Sequence, residues 1–246
     1  MAKPRHLSRA PIREALIDIQ FSPAADLESV AAFAHEAAGL LGSISDLWET
    51  TLELTIGVDG AQQSNTGTCV GKRIDFPGLN HVLQLRTTGF TFSRLPPYET
   101  WEAMSEHALK IGFRYLAAVR PEHVVRLAVR YINTLQIPLP VVTFKDYLTC
   151  PPQIPSELPQ GLASFLSRVG IAVPEYGDVG VVTQVLEGMT PEGNALSILL
   201  DIDVSHLCKL DGPETDKIRE VLDRLRTFKN DAFFGFLEEK TLEQYT

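Results

Sequence analysis

Cysteine, methionine and tryptophan are scarce, at three, three and two residues in a chain of 246. Cys69, Cys150 and Cys208 are odd in number and far apart, which excludes a disulfide framework and any Cys-x-x-Cys zinc or redox pair. No stretch approaches the ~20 apolar residues that span a bilayer as a helix. Met1–Ala10 is followed by no apolar segment of the kind a secretory signal needs. The expectation is a cytoplasmic protein with no membrane partner. A basic surplus is also missing: 22 Lys+Arg stand against 31 Asp+Glu, a net charge of −9. Duplex nucleic acid is held mainly by cations at its phosphates, so the balance makes nucleic acid an unlikely partner.

Catalytic and cofactor signatures are absent as well. The chain has no GxGxxG, no GxxxxGK[ST], no GxSxG and no EF-hand loop. His35-Glu36 continues as Ala37-Ala38-Gly39, so the second histidine of a HExxH zinc site is missing, and the six histidines show no ligand spacing. No metal and no cofactor are expected.

What is present is globular: 44% hydrophobic, 22% charged, with 17 Gly and 16 Pro scattered. Ala15, Ile17, Ile19 and Phe21 alternate with polar neighbours, the period of a half-buried strand. Asp26 can cap a following helix with Leu27, Val30, Ala34, Ala38 and Leu41 on one stripe and Gly42 after it. Trp48, Leu52, Leu54, Ile56 and Val58 predict a strand with one buried face, and Asp59-Gly60 opens a polar loop reaching Gly71. Strands at 70–76, 81–86 and 90–95 follow, then a helix over 98–119. Val124–Ile137 reads as a long strand. The stretch 138–160 is the richest in proline, and a short amphipathic helix is expected over 158–169. A hairpin of 178–189 with 195–207 and a final helix after Gly212-Pro213 complete the chain.

The expected fold class is therefore α+β: antiparallel sheets covered on one face by helices, read either as two duplicated βαββ(β)α units over 1–121 and 122–246 or as one compact antiparallel α+β unit without a repeat, with a proline-rich crossover near 138–160. A groove between the repeats is the natural place for a ligand.

The polar constellation is spread over strands. Glu14 and Asp18 share a face of the first strand, Arg126 and Arg130 a face of the long middle strand, and Asp201 and Asp203 the polar face of a late one. Two readings follow: cross-strand ion pairing on a wet sheet face, or an Arg-lined groove for a carboxylate or phosphate. Asn133 places an amide in an apolar stretch, so it ties down a neighbouring backbone or faces a site. The last helix mixes Arg219, Arg224, Arg226 and Lys229 with Glu220, Asp223 and Asp231, the pattern of a solvated face. Its surplus Phe233, Phe234 and Phe236 suggest a homo-oligomer patch.

Several segments together are distinctive: Ala10-Pro11-Ile12-Arg13-Glu14, the run Gly89 to Trp101, Arg126 to Asn133, and Leu200-Asp201-Ile202-Asp203. In their order they resemble a sporadically distributed bacterial family of similar length with "PI.E", "F.fsrL.pY..W" and "RYIN" segments. The resemblance implies a stand-alone protein of an accessory or regulatory system and supplies no catalytic residues. Its motifs fall on Glu14, Arg94, Arg130, Asn133 and Asp201, which adds Arg94 to the candidates.

The reading favoured by the sequence is a non-enzymatic binding or regulatory module for a small molecule or protein. Alternatives are an enzyme using the Glu/Asp/Arg cluster for acid-base chemistry and a nucleic-acid-associated accessory protein. Acidity is uneven, since residues 1–138 hold 13 basic and 14 acidic side chains and residues 139–246 hold 9 and 17. An anionic ligand is thus expected in the first half.

Overall fold

The computed structural model describes residues 2–57, 60–141, 143–212 and 214–246. The first strand, β1 (Ile12–Ser22), leads into α1 (Leu27–Ala38). Four strands follow: β2 (Ser43–Gly57), β3 (Gly60–Phe76), β4 (His81–Arg86) and β5 (Gly89–Arg94). Then come α2 (Trp101–Val119), β6 (His123–Pro138), β7 (Leu166–Val173), β8 (Asp178–Met189), β9 (Ala195–Asp211), α3 (Thr215–Gly235) and the single-turn α4 (Glu239–Leu242).

All nine strands form one antiparallel sheet in the order β2-β3-β4-β5-β1-β6-β9-β8-β7. This corrects the expected fold class. In place of helix-covered sheets, a single strand-dominated sheet carries the molecule, and helices reach only part of it. Helix α1 rests mainly on β3, α2 on β5 and β1, and α3 on β6, β9 and β8. The edge strand β7 is largely exposed.

The differences in detail have local causes. The stretch read as a loop up to Gly71 is β3, whose Ser, Asn, Gly and Thr residues pair along the length of β2. Ladder bonding is a backbone property, and polar side chains do not prevent it when both faces are wet. Trp48 and Leu52 are each 62% exposed, so the face of β2 expected to be buried is open there. Val58 and Asp59 lie outside the described residues. Helix α1 stops at Ala38 because Gly39 turns with φ +52°. Leu41, assigned to its stripe, is 70% exposed. The helix expected over 158–169 does not form. Residues from Leu166 instead pair with β8 as β7, consistent with the β-branched Val169, Ile171 and Val173.

Alternation on the central strands divides the sheet. Ile17, Ile19, Leu127, Val129, Leu200, Ile202 and Val204 are buried against the helices. Ile218, Leu222 and Leu225 of α3 close that core from above. Gly180 on β8 is a contact point for α3, where a Cβ would lie 2.8 Å from Phe228 Cζ. Gly180→Ala should cost about 1–3 kcal/mol by overpacking, and Phe228→Leu in the same chain should recover part of it. Thermal unfolding followed by circular dichroism measures this. An unchanged midpoint would show that α3 does not seat there.

Candidate functional site

The face of the sheet away from the helices carries an ion network. Asp18 accepts from Arg86 at 2.6 Å, from Thr91 at 2.7 Å and from Arg126 at 3.1 Å. Arg126 also lies 3.6 Å from Asp203. Arg130 donates to both oxygens of Asp201, at 2.8 and 2.6 Å. That pair holds the Arg130 guanidinium above its usual range, while burial pushes the Asp203 carboxyl up against the pull of Arg126 and Arg130. Register explains the convergence: Asp18 faces Thr91 on β5 and Ala128 on β6, and Arg130 faces Asp203 on β9. Each arginine fork is already engaged by an aspartate, so the network has little capacity left for a further anion.

The cavity lies on the opposite face. About 440 Å³ is bounded by the N-terminal segment around His6 and Leu7, the first turn of α2, β6, and the last three turns of α3. Its walls are built by specific contacts. The Trp101 indole donates to Asp223 at 2.9 Å, and Arg226 reaches Glu102 at 3.0 Å, joining the start of α2 to α3. The N-terminal segment is strapped to the chain's other end by Ala2 N to Leu237 O, Arg5 to Glu239, and Arg9 N to Tyr245 O. Inside, the Tyr98 and Tyr131 hydroxyls are 2.7 Å apart. Burial raises both phenols, Tyr131 most strongly.

Lys229 enters this cavity from α3 with the residue only 8% exposed. Its Nζ sits 3.7 Å from the Tyr131 ring centroid and donates to Asn230 Oδ1 at 2.6 Å. Among the described residues no carboxylate lies within ion-pair distance of it. Burial, with repulsion from Arg226 second, brings its ammonium down to about 7.

The residues picked out from sequence are thus divided. Asp18, Arg126, Arg130, Asp201 and Asp203 meet in the network, with Glu14 adding negative charge near Arg130. Arg94 stands apart, donating to Leu79 O at 2.8 Å and reaching Glu99 at 3.3 Å. Asn133 alone lines the cavity, and its amide also bonds Leu200 O across to β9 at 3.0 Å. Two expectations for α3 are corrected. Lys229 is buried rather than on a solvated face, and Phe233 and Phe234 are each 8% exposed, packed edge-to-face rather than forming an outer patch. The overlooked signal was spacing: Lys229 follows Leu222 by seven residues and Leu225 by four, on the buried stripe.

Neither protein-family models nor curated proteins give a match to this chain. Among the described residues no helix is long and apolar enough to cross a membrane, and no group of three His, Cys, Asp or Glu could hold a metal.

Two measurements check these assignments. Asp18→Asn should lower stability by about 1.5–3 kcal/mol, the range for hydrogen bonds to charged groups, by weakening the hold on Arg86 and Arg126. Urea unfolding with no loss would remove the network from the fold's support. For Lys229, a folded-state value of about 7 below the unfolded ~10.4 means that burying the charged form costs stability. That cost is complete below about pH 7 and is relieved as pH rises toward the unfolded value. Lys229→Met should therefore be more stable than the native chain by about 1–4 kcal/mol near pH 6, with the difference shrinking steadily toward pH 10. A pH-independent difference would contradict the burial of the charge.

Proposed function

We propose that this protein is a non-enzymatic binding module that takes a small molecule into the cavity between the N-terminal segment, α2, β6 and α3. One observation carries the reading: a lysine more than nine-tenths buried faces that cavity with no carboxylate partner among the described residues. An isolated buried ammonium costs several kcal/mol, and such a group persists where a function repays it. The volume also suits a ligand, since small-molecule sites run from ~300 to 1,000 Å³ with aromatic walls and a few polar groups. Tyr98, Trp101, Tyr131, Phe233 and Phe234 supply the walls.

Acid-base catalysis by the Glu/Asp/Arg cluster is the weaker reading, because its carboxylates and guanidiniums are spent on each other across an uncovered sheet face. The resemblance to a sporadically distributed bacterial family supplies no activity to set against the binding reading.

A thermal-shift screen with a mixed library of acids, bases and neutral compounds tests it directly. At least one compound should raise the unfolding midpoint of the native chain and leave Ala10→Phe, which adds a ring to the cavity lining, unmoved. No stabilisation by any compound, or equal stabilisation of Ala10→Phe, overturns the proposal.

A further inference from the structure

The charges around the cavity are nearly balanced, and the imbalance has one source. Arg226 is paired with Glu102 at 3.0 Å, Arg5 with Glu239 at 2.6 Å, and Glu99 with Arg94 at 3.3 Å. After these pairs are formed, the Lys229 ammonium is the cation left without a counter-charge among the described lining residues. The cavity is therefore short of one negative charge. A ligand bearing two or more would be over-compensated beside Glu99 and Glu102, and a neutral one would leave the ammonium as costly as before.

Geometry adds a second constraint. Of the Tyr98 and Tyr131 hydroxyls, one donates to the other at 2.7 Å. The pair has two hydrogens and uses one, so a hydroxyl hydrogen remains to donate from one of the two tyrosines that line the cavity with Lys229. A carboxylate takes two such donors on its two oxygens. The surrounding rings of Trp101, Phe233 and Phe234 favour a flat apolar body.

We infer that the ligand is a small aromatic monocarboxylic acid, its carboxylate pairing with the Lys229 ammonium and its ring held among the aromatic walls. This rests on the binding reading above and specifies its chemistry. The amine's lowered affinity for protons supplies a signature. Binding an anion restores the proton on Lys229, so complex formation takes up a proton where the free group is largely neutral. Other charged or titratable groups lining the cavity with Lys229 are Arg226 on α3, Glu102 on α2, Glu99 before it, Arg5 and His6 on the N-terminal segment, and the two tyrosines.

The test is isothermal titration calorimetry with benzoate and phenylacetate against benzamide and phenylacetamide. Runs at about pH 6.5, 7.5 and 8.5 use buffers of differing ionisation enthalpy. The acids should bind at least about tenfold more tightly than the amides at the lowest pH. That preference should fall toward unity as pH rises, with net proton uptake above neutrality. Lys229→Met, which is expected to fold, should lose both the preference and the uptake. His35→Gln, which alters an exposed histidine on α1 outside the cavity, should keep both.

Amides binding as well as acids, or a preference surviving in Lys229→Met, overturns the carboxylate assignment. If neither acids nor amides bind while the mixed-library screen finds another cavity ligand, this inference fails and the binding reading stands. If the screen also finds nothing, both fail.

Discussion

The antiparallel pairing of β1 with β6 is the constraint on which the rest depends. These strands come from opposite halves of the chain and lie side by side at the sheet's centre. From β1 the ladder grows outward through β5, β4, β3 and β2, and from β6 through β9, β8 and β7. Because side chains alternate, the register that buries Ile17 beside Val129 also places Asp18 on the same face as Arg126. A slip of one residue would send the aspartate into the core and the isoleucine into water. Core and ion network are therefore specified together, and neither could shift without the other.

The same chain shows how it handles a buried charge when no ligand is involved. Asp178, 2% exposed, accepts from Nε and Nη2 of Arg224 at 2.7 and 2.9 Å, with His206 Nδ1 at 2.9 Å. Burial there is matched by opposite charge and several hydrogen bonds, as low-dielectric surroundings require. Lys229 sits on the same helix, five residues after Arg224, and has only one hydrogen bond, donated to a neutral amide oxygen, and a ring face. A cation over an aromatic ring recovers on the order of 1–2 kcal/mol, less than the desolvation it opposes. Set beside Asp178, Lys229 is the exception, and it is the exception that faces a cavity.

Much of the local structure was legible in the sequence, and the global arrangement was not. The period-2 strands 81–86, 178–189 and 195–207 and the capped helices α1 and α2 come from patterns that act over a few residues. Asp26 caps α1 through Ser29 N at 2.7 Å as its position implies. Strand β3 was hidden because its outer half has neither β-branched density nor an apolar face, and its pairing with β2 is a long-range event. The ion network was half-legible: Asp18 with Arg126, and Arg130 with Asp201, were visible as like-faced charges on separate strands. Arg86, which completes the shell of Asp18, becomes its neighbour only once β5 lies next to β1. The cavity was least legible, because its walls come from four elements distant in sequence. Mixed charge near the end of α3 masked the position of Lys229, although its spacing from Leu222 and Leu225 placed it on the inner stripe.

The overall charge of −9 weighs less on this site than on the molecule as a whole. Exposed charges are screened within ~8 Å at physiological ionic strength, so the excess acid on distant surfaces scarcely affects an enclosed group. What acts on Lys229 is the shell within a few ångströms. There Glu102 is occupied by Arg226, and Glu99 by Arg94. An acidic protein can in this way hold a locally electropositive cavity, and the more anionic half of the chain contributes its uncompensated cation. The net-charge argument from composition therefore applies to partners that read broad surfaces, such as duplex nucleic acid, and has no force against a small anion received inside.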